Sequence, residues 1–452
     1  MAPTAGRLTG RDGPLSVKKI AALCCAGGFL DGYDLLIMGS ALLLLVPEFG
    51  LDGPTTGLIT ALPYIGAALG AVVAGRLNDR FGRRLIYLFD VVLFLVLAVL
   101  LFFAQEVWQL ALLRFLVGIA IGFDMPTGSS MLAEFSPPRR RGLVTAMMNT
   151  SWLAGGAVAA LVGYLLYTTV GEGAWRWMFL SAALPAVIIL AARATLPESP
   201  YWLRSIGRTA EAEDIERRLP PEVVAAAQTP RASQRGSFRD VFSRRYRGPV
   251  AFFAVYWTWQ AFFSAAPFTY TALIFSSIIL LDGGDALLLS ASLLTAYVIF
   301  SLVCQFFVLD RFGRKPLAVV SCLVAGATGI PIALLQDVPV ALVVFYAISL
   351  VATQMATIPF WPWSVEQLPT RIRATGQSIG SAGNKFGLFV SLLIFPPPVI
   401  AAIGWKPMFF GYAFGFLGLA LFAAVLGRET KDVDLSVVDA ADGDPRPAPA
   451  AH

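Results

Sequence analysis

The sequence predicts an all-α membrane protein in which twelve transmembrane helices form two six-helix bundles related by pseudo-twofold symmetry. Three observations support this prediction. The chain of 452 residues is 57% apolar and only 14% charged, with a mean hydropathy of +0.70, and a soluble protein cannot cover that much apolar surface. The apolar residues form long, separate windows. Two polar motifs also recur at a nearly constant offset in the two halves of the chain.

Windows of 18 or more mostly apolar residues mark the predicted spans. They lie at 20–46, 55–77, 83–104, 106–134, 141–168, 175–195, 248–279, 287–309, 315–336, 338–366, 373–403 and 405–427. A long polar segment separates the first six from the last six. We therefore predict an N-terminal segment at 1–19, an N-terminal bundle at 20–195, a linker with short helices at 196–247, a C-terminal bundle at 248–427 and a disordered tail at 428–452.

The basic residues predict the orientation of the chain in the membrane. Loops 47–54, 104–109, 280–286 and 337–340 contain no Lys or Arg, whereas the opposite loops and the linker are rich in both. The positive-inside rule then places both termini and the linker in the cytoplasm. We expect a multi-pass protein of the cell (inner) membrane that works as a monomer, with the lipid bilayer as its surroundings and no nucleic acid partner.

Two motifs reveal an internal repeat. The run DRFGRR from Asp79 follows the second span, and DRFGRK from Asp310 follows the eighth, 231 residues later. The spacing of Glu134, Pro137, Arg139 and Arg141 after the fourth span recurs after the tenth at an offset of 232, as Glu366, Pro369, Arg371 and Arg373. Two motifs at one offset indicate a duplicated six-helix unit with the same orientation in both copies.

The repeated charges predict a cytoplasmic gate. Gly82 and Gly313 allow the tight turn that each loop requires, and the neighbouring charges can pair with glutamates at adjacent helix ends. Such ion pairs can hold an inner mouth shut and break when it opens; alternatively, the charges only fix the topology and bind lipid headgroups. The predicted gate residues are Asp79, Arg80, Gly82, Arg83, Arg84, Glu134, Arg141, Glu198, Asp310, Arg311, Gly313, Arg314, Glu366 and Arg373.

Acidic residues interrupt the first apolar window. Asp31 and Asp34 are three residues apart, so on a helix they share a face with an axial offset of about 4.5 Å. Carboxylates are costly in hydrocarbon and are usually functional there. The pair therefore predicts a water-accessible cavity that binds a proton, a substrate or both. For Asp90 in the third span, snorkelling or a polar helix contact is as good an explanation as transport.

The sequence contains no recognisable site for a metal or cofactor. The only histidine is His452, and the four cysteines lie in apolar runs without CxxC spacing. No nucleophile–base set or phosphate-binding loop is evident. We therefore expect neither a cofactor nor an enzymatic activity.

The chain resembles the major facilitator superfamily over residues 20–430. The segment from Gly75 to Arg84 resembles the loop motif of that superfamily, and it is repeated in the second half. Pro197 to Leu203 resembles the PESPxWL motif of sugar porters, and Trp175 to Met178 and Glu366 to Gly376 also fit. The resemblance implies a transporter whose two bundles rock about a central substrate site.

The resemblance also implies a proton-coupling pair. Gly32-Tyr33-Asp34 is similar to the GYD of proton-coupled sugar porters, where the Asp is protonated, and Arg114 matches its Arg partner. Alternating access can change the proton affinity of Asp34 as Arg114 approaches or leaves; a static ion pair that orients two helices is the alternative. We assign Asp34, Arg114 and Asp31 to proton coupling.

Departures from the sugar-porter pattern bear on the substrate. The seventh span, Trp257 to Phe263, keeps one Gln but lacks the QQxxG-x-N pattern that binds sugar hydroxyls. The additional acids Asp31 and Asp124, together with Lys385, resemble phosphate:proton symporters and related metabolite and aromatic-acid symporters. The seventh span, however, lacks the substrate-contacting Asp of the phosphate branch. Lys385 can bind an anionic group or merely neutralise an acid.

We therefore predict proton-coupled uptake (symport) of a small polar metabolite, with an organic anion favoured. A sugar or polyol porter, proton-coupled or facilitative, is the alternative. An efflux antiporter would use the same charges, and a sensor that binds without transporting is disfavoured by the short tail. The predicted substrate-binding residues are Asp124, Lys385, Tyr33, Trp259, Gln260, Trp361 and Asn149.

Overall fold

The structure, a computed structural model, describes residues 15–135, 141–228, 238–395 and 402–431. Within these ranges, only the backbone is described at 133, 141–146, 225–228, 238–239, 306, 309–310, 361, 365, 370–371 and 374. Residues 228–237, whose composition is typical of a flexible linker, lie almost wholly outside the described residues, as does most of the predicted tail.

Six helical spans form the N-terminal half. They are α1 (Val17–Phe49), α2 (Gly53–Phe81), α3 (Arg83–Phe102), α4 (Val107–Phe135), α5 (Arg141–Val170) and α6, which has two pieces (Ala174–Ser181 and Ala183–Arg193). Local sequence sets their ends: Ser16 caps α1, which stops at Gly50 with a φ of 57°, and Asp52 caps α2 through the N–H of Thr55. Gly82, with a φ of 93°, makes the turn between α2 and α3 that the motif predicts.

Six further spans form the C-terminal half. They are α7 (Arg247–Thr269 and Thr271–Ile278), α8 (Gly283–Val303, continued by a π-helical turn at Cys304–Val308 and by Leu309–Phe312), α9 (Arg314–Leu334), α10 (Pro339–Thr357 and Phe360–Gln367), α11 (Thr370–Ile394) and α12 (Trp405–Leu426). Gly313 repeats the turn of Gly82 with a φ of 85°.

Composition supports the membrane assignment of these helices. Ten are long and apolar enough to cross a bilayer, and α7 makes eleven when its two pieces, bent by 56°, count as one span. The twelfth, α11, has the length at 25 residues but contains polar residues such as Asn384 and Lys385. A span that borders a polar cavity need not be apolar on all sides. The predicted twelve-helix fold is confirmed.

The segment predicted as a linker with short helices contains three of them, at Pro200–Ser205, Thr209–Arg217 and Pro221–Gln228, followed by a 3₁₀ turn at Phe238–Phe242. Proline helps to set where two of them begin, because Pro200 and Pro221 each lie in the first turn of a helix, where the missing N–H has no cost. Proline therefore separates the helix at Thr209–Arg217 from the next one and also begins that next helix at Pro221.

The two bundles meet mainly along two helix pairs, α2 with α11 and α5 with α8, and in a smaller contact of α1 with α7. At the end predicted to be external the backbones nearly touch. A Cβ on Gly57 of α2 would lie 2.9 Å from the carbonyl oxygen of Leu392, and one on Gly39 of α1 would lie 2.5 Å from that of Thr269. Glycine is required at both positions for this approach. The bundles are therefore closed together at this end.

A third element of the repeat lies at the cytoplasmic end. Glu198 accepts backbone hydrogen bonds from Arg83 and Arg84 at the start of α3, and Glu429 accepts the corresponding bonds from Arg314 and Lys315 at the start of α9. The offset from Glu198 to Glu429 is again 231 residues. Each carboxylate caps a helix N-terminus, where negative charge is stabilising. The repeat thus extends past the last span of each half.

The first residues of the predicted disordered tail are held in place, which corrects that prediction at 428–431. The carbonyl of Arg428 accepts a hydrogen bond of 2.6 Å from Trp363 Nε1, and Thr430 donates to Glu366. Lys431 Nζ donates to the carbonyl of Arg311 at 3.1 Å. Polar composition predicted disorder here because it does not reveal the unpaired groups that a helix end offers.

We expect Glu429→Gln to weaken the folded state in a pH-dependent way. Partial burial acts against the charge, but the N–H groups of Arg314, Lys431, Thr430 and Lys315 outweigh it and hold the pKa of the Glu429 carboxyl below its usual value. A lowered folded-state pKa gives stabilisation that is present above the unfolded pKa and is lost as the pH falls through the folded one. Because the side chain is exposed, we expect about 1 kcal/mol or less at pH 7.

The measurement is the melting temperature of the purified protein between pH 7 and pH 3. The gap between wild type and Glu429→Gln should close toward the acid end, whereas Glu222→Gln, on the exposed linker helix, should show no gap at either pH. A gap that stays constant with pH would contradict the capping role of the charge.

Candidate transport site

A cavity of about 150 Å³ lies between the two bundles. Its wall combines rings, among them Tyr64, Trp152, Trp257 and Tyr412, with amide side chains and one cation, Lys385. Within the described part of the chain, no Asp or Glu lines it. A mostly apolar wall with a few placed polar groups is the usual character of a small-molecule site.

Hydrogen bonds orient the amides in the C-terminal part of the wall. Gln260 Nε2 donates to Thr357 Oγ1 at 2.9 Å. Gln354 accepts from the hydroxyl of Tyr297 at 2.7 Å and donates to Ser301 Oγ at 2.9 Å. These hydrogen bonds fix the orientation of each amide group. The polar groups of the wall therefore have defined directions before a ligand binds.

Lys385 supplies the positive charge of the cavity. It lies on α11, and its Nζ is 6.0 Å from the ring centroid of Tyr64 across the bundle interface. Among the described residues no carboxylate oxygen lies within 4.0 Å of it, and its electrostatic neighbour is Asp31. An ammonium group held near rings, without a close counterion, is suited to an anionic ligand.

Asp34 and Arg114 form a buried ion pair. Arg114 Nη1 lies 2.7 Å from Asp34 Oδ2, and each residue is about 1% exposed. The guanidinium also lies 5.5 Å from the ring centroid of Phe179. Tyr64 interacts with both charges and lines the cavity, so its ring separates the pair from the substrate space. The structure brings these two predicted proton-coupling residues together.

Asp124 lies elsewhere than predicted. It does not line the cavity but pairs with Arg193 of α6, which also bonds to Asp90 at 3.2 Å. The position of Asp124 along its helix does not give the direction in which its side chain points. The prediction also missed Arg193, because an Arg in the last turn of a span is read as a cytoplasmic anchor.

The other predicted substrate-binding residues divide into three groups. Asn149, like Gln260 and Lys385, lines the cavity. Tyr33 points into the N-terminal bundle, where its hydroxyl is 2.7 Å from Ser181 Oγ, and Trp259 packs on Phe422 of α12. The side chain of Trp361 is outside the described residues. Trp257, and not the predicted Trp259, lines the cavity wall. Two helical residues separated by one position point in nearly opposite directions, so only one of the two can face the cavity.

The predicted gate charges pair inside each bundle. Arg83 Nε is 3.5 Å from Glu134 Oε1, Arg83 Nη2 is 3.8 Å from Asp79, and Arg314 Nη2 is 2.8 Å from Glu366.

Other predicted gate arginines make contacts that are not ion pairs. Arg84 donates to the carbonyl of Ala194 at 2.9 Å, and Arg373 donates to that of Leu368 at 3.0 Å. Arg80 lies over the ring of Phe81. The side chains of Arg141 and Asp310 are outside the described residues. The role of these pairs as a gate stays a prediction.

The sequence matches, over residues 20–441, the family described as sugar (and other) transporter. The chain belongs to this family. YaaU of Escherichia coli (strain K12), named a putative metabolite transport protein, is 32% identical over 420 residues, which cover 93% of this transporter and 94% of YaaU. YgcS of the same strain, named an inner membrane metabolite transport protein, is 32% identical over 389 residues and 84% of each chain.

The inward open structure of the xylose transporter XylE from E. coli superimposes on this transporter with a TM-score of 0.75 at 21% identity, covering 94% of this chain and 100% of that one. This likeness shows the fold, which is that of the major facilitator superfamily. The protein is therefore a multi-pass sugar or metabolite transporter and not an enzyme.

Proposed function

We propose that this transporter is a proton symporter that takes up a small organic anion. The observation that supports the proposal is that a cation lines the cavity and a buried ion pair lies close to its wall. Lys385 stands in the wall of the C-terminal bundle, while the Asp34–Arg114 pair lies behind Tyr64 in the N-terminal bundle. Lys385 can bind an anion and Asp34 can bind a proton. The two residues belong to different bundles, which must move relative to each other during transport.

The coupling follows from how each ligand changes the charges. Protonation of Asp34 removes the negative partner of Arg114, which can then turn toward the cavity. An anion bound at Lys385 supplies a new partner for that freed guanidinium and draws the bundles together. Each ligand thus favours the arrangement that the other requires, and such coupling is typically worth about 1–3 kcal/mol. With basic loops on the inner side, we assign both termini to the cytoplasm; the inward direction of transport is part of the proposal.

A sugar or polyol is the second candidate. The observation that favours it is the set of amides in the wall, Asn149, Gln260, Gln354 and Asn384, because carboxamides can both donate to and accept from hydroxyl groups. The name of XylE as a proton:xylose symporter agrees with this alternative. Lys385 can donate a hydrogen bond to a polyol, but only an anion also neutralises its charge, and this is why we place the anion first.

A ligand screen followed by proton measurement tests the proposal. Purified protein is heated with aromatic acids, dicarboxylates, inorganic phosphate, pentoses, hexoses and inositols, since a ligand raises the melting temperature of the state it binds. Each ligand that stabilises is then added outside proteoliposomes that contain a pH-sensitive dye. We expect stabilisation by carboxylates and acidification of the interior beyond that of protein-free liposomes. Stabilisation by polyols alone would contradict the anion, and uptake without acidification would contradict symport.

A further inference from the structure

A second group of buried charges lies in the N-terminal bundle, on the cytoplasmic side of the Asp34–Arg114 pair. Arg193 of α6 is fully buried and bonds through Nη1 to Asp90 of α3 at 3.2 Å and through Nη2 to Asp124 of α4. Asp90 and Asp124 are 2% and 4% exposed. Arg114 and Asp124 are ten residues apart on α4, which separates the two groups by about 15 Å along the helix.

Helix α1 brings a third carboxylate to this group. A Cβ on Gly27 would lie 2.0 Å from Arg193 Nη2 and 2.3 Å from Asp124 Oδ2, so the backbone of α1 packs directly on the Arg193–Asp124 pair. Asp31 follows Gly27 by four residues and hence shares its face. Its carboxyl is 4% exposed and interacts electrostatically with Asp124, Asp90, Lys385 and Arg193.

Two carboxylate oxygens in this group are unpaired. Asp31 Oδ2 and Asp124 Oδ2 are both buried, and neither has a hydrogen-bond partner within the described part of the chain. A buried acceptor without a donor is costly, and a buried carboxylate without a counterion is more so. A carboxyl group that binds a proton becomes a donor and can satisfy a neighbouring oxygen.

The count of charges shows where a proton is needed. Three carboxylates, Asp31, Asp90 and Asp124, surround a single guanidinium. The other ionisable groups that face them are Cys24 of α1 and Tyr87 of α3, which are neutral at neutral pH, and Lys385 of α11 on the far side of Asp31. Even with Lys385 counted, the carboxylates exceed the cations by one. Two like charges that share one buried site bind a proton between them.

We propose that Asp31, Asp90 and Asp124, held around Arg193, form a second proton-binding site distinct from Asp34–Arg114. Asp31 is the member that exchanges its proton, because it has no direct bond to Arg193 and lies toward Lys385 and the cavity. An anion that occupies Lys385 removes the cation that faces Asp31 and so favours a proton on it. Each transport cycle then carries two protons with one substrate. The existence of the site is independent of the proposed function, whereas the count of two protons rests on it.

Infrared difference spectroscopy tests the site without any substrate. Protein in lipid is perfused alternately at pH 5 and pH 9, and the C=O stretch of protonated carboxyl groups is recorded. We expect Asp34→Asn to keep a pH-dependent carboxyl band from the second site and Asp34→Asn/Asp31→Asn to lose at least half of it. The matched control Asp34→Asn/Asp282→Asn, at the N-cap of α8 in a loop, should keep it. Asp34→Asn/Asp90→Asn serves as a second test if the Asp31 variant does not fold.

Two outcomes would overturn the second site. In one, the Asp34→Asn protein shows no pH-dependent carboxyl band, which means that the group is permanently protonated or permanently ionised. In the other, the band is unaffected by removal of either Asp31 or Asp90. The proton count is tested separately, from the reversal potential of transport of a carboxylate found in the screen. We expect two protons per anion in wild type and one in Asp31→Asn; a ratio of one in wild type contradicts the second proton, and no proton flux contradicts the proposed function alone.

Discussion

Asp34→Asn is expected to reduce strongly the accumulation of substrate against its gradient while leaving exchange of substrate across the membrane. Asn has nearly the shape of Asp but cannot take up a proton, so the link between proton binding and release of Arg114 is lost. A coupling of about 1–3 kcal/mol corresponds to a 5- to 150-fold change of affinity, and we expect the part of the pH dependence of substrate affinity that arises from Asp34 to disappear. Uptake driven by a pH gradient and counterflow without one, both in proteoliposomes, measure the two activities.

The variant also leaves a guanidinium buried without its partner, which typically destabilises a protein by about 3–5 kcal/mol. The double variant Asp34→Asn/Arg114→Gln removes both charges and should recover melting temperature but not accumulation. Asp52→Asn, at the cap of α2 in a loop, is the control for expression and for general effects of losing an acid. Accumulation by folded Asp34→Asn protein at the level of wild type would refute a coupling role for the pair.

Lys385→Met is expected to weaken binding of an organic anion by about 10- to 100-fold. A hydrogen bond to a charged group contributes about 1.5–3 kcal/mol, and 1.4 kcal/mol is tenfold in a dissociation constant. Met keeps an unbranched chain of similar length, so that the rings beside it keep their packing. The concentration that half-saturates the thermal shift, or half-saturates counterflow, measures the change.

Lys385→Arg is the matched control, because it keeps the charge and should retain part of the affinity. A neutral sugar or polyol should lose clearly less affinity than the anion in Lys385→Met, since it carries no negative charge for the ammonium to neutralise. An unchanged affinity for the anion in Lys385→Met would remove the basis for preferring an anion over a polyol.

The fold and the polar turns were predictable because they follow from local sequence. Apolar windows set the spans, and the glycines at 82 and 313 mark turns that the structure places at positive φ. Asp34 was singled out as an acid within an apolar window, but its pairing with Arg114 was reached only through a resemblance to known porters. The cap formed by Glu429 was also within reach, since it repeats Glu198 at the offset of the two motifs.

The direction in which a side chain points inside the bundle was not predictable. Trp257 and Trp259 lie on nearly opposite sides of α7, and both sides are apolar, so that periodicity does not distinguish them. Asp124 was assigned to the substrate site from its place in the fourth span and from a resemblance, and its partner Arg193 comes from a different helix, 69 residues later in the chain. Which helices are neighbours depends on contacts between distant parts of the chain, and no single sequence window shows these contacts.

The contacts at residues 428–431 have a practical consequence for handling the protein. This segment forms hydrogen bonds to Trp363, Glu366 and Arg311 at the cytoplasmic end of the C-terminal half. An affinity tag or fluorescent reporter should therefore be fused after Lys431 with a flexible spacer. A shortened version that stops at Gly427 would leave the indole N–H of Trp363 without its acceptor and remove the Thr430 donor from Glu366, which would keep its ion pair with Arg314.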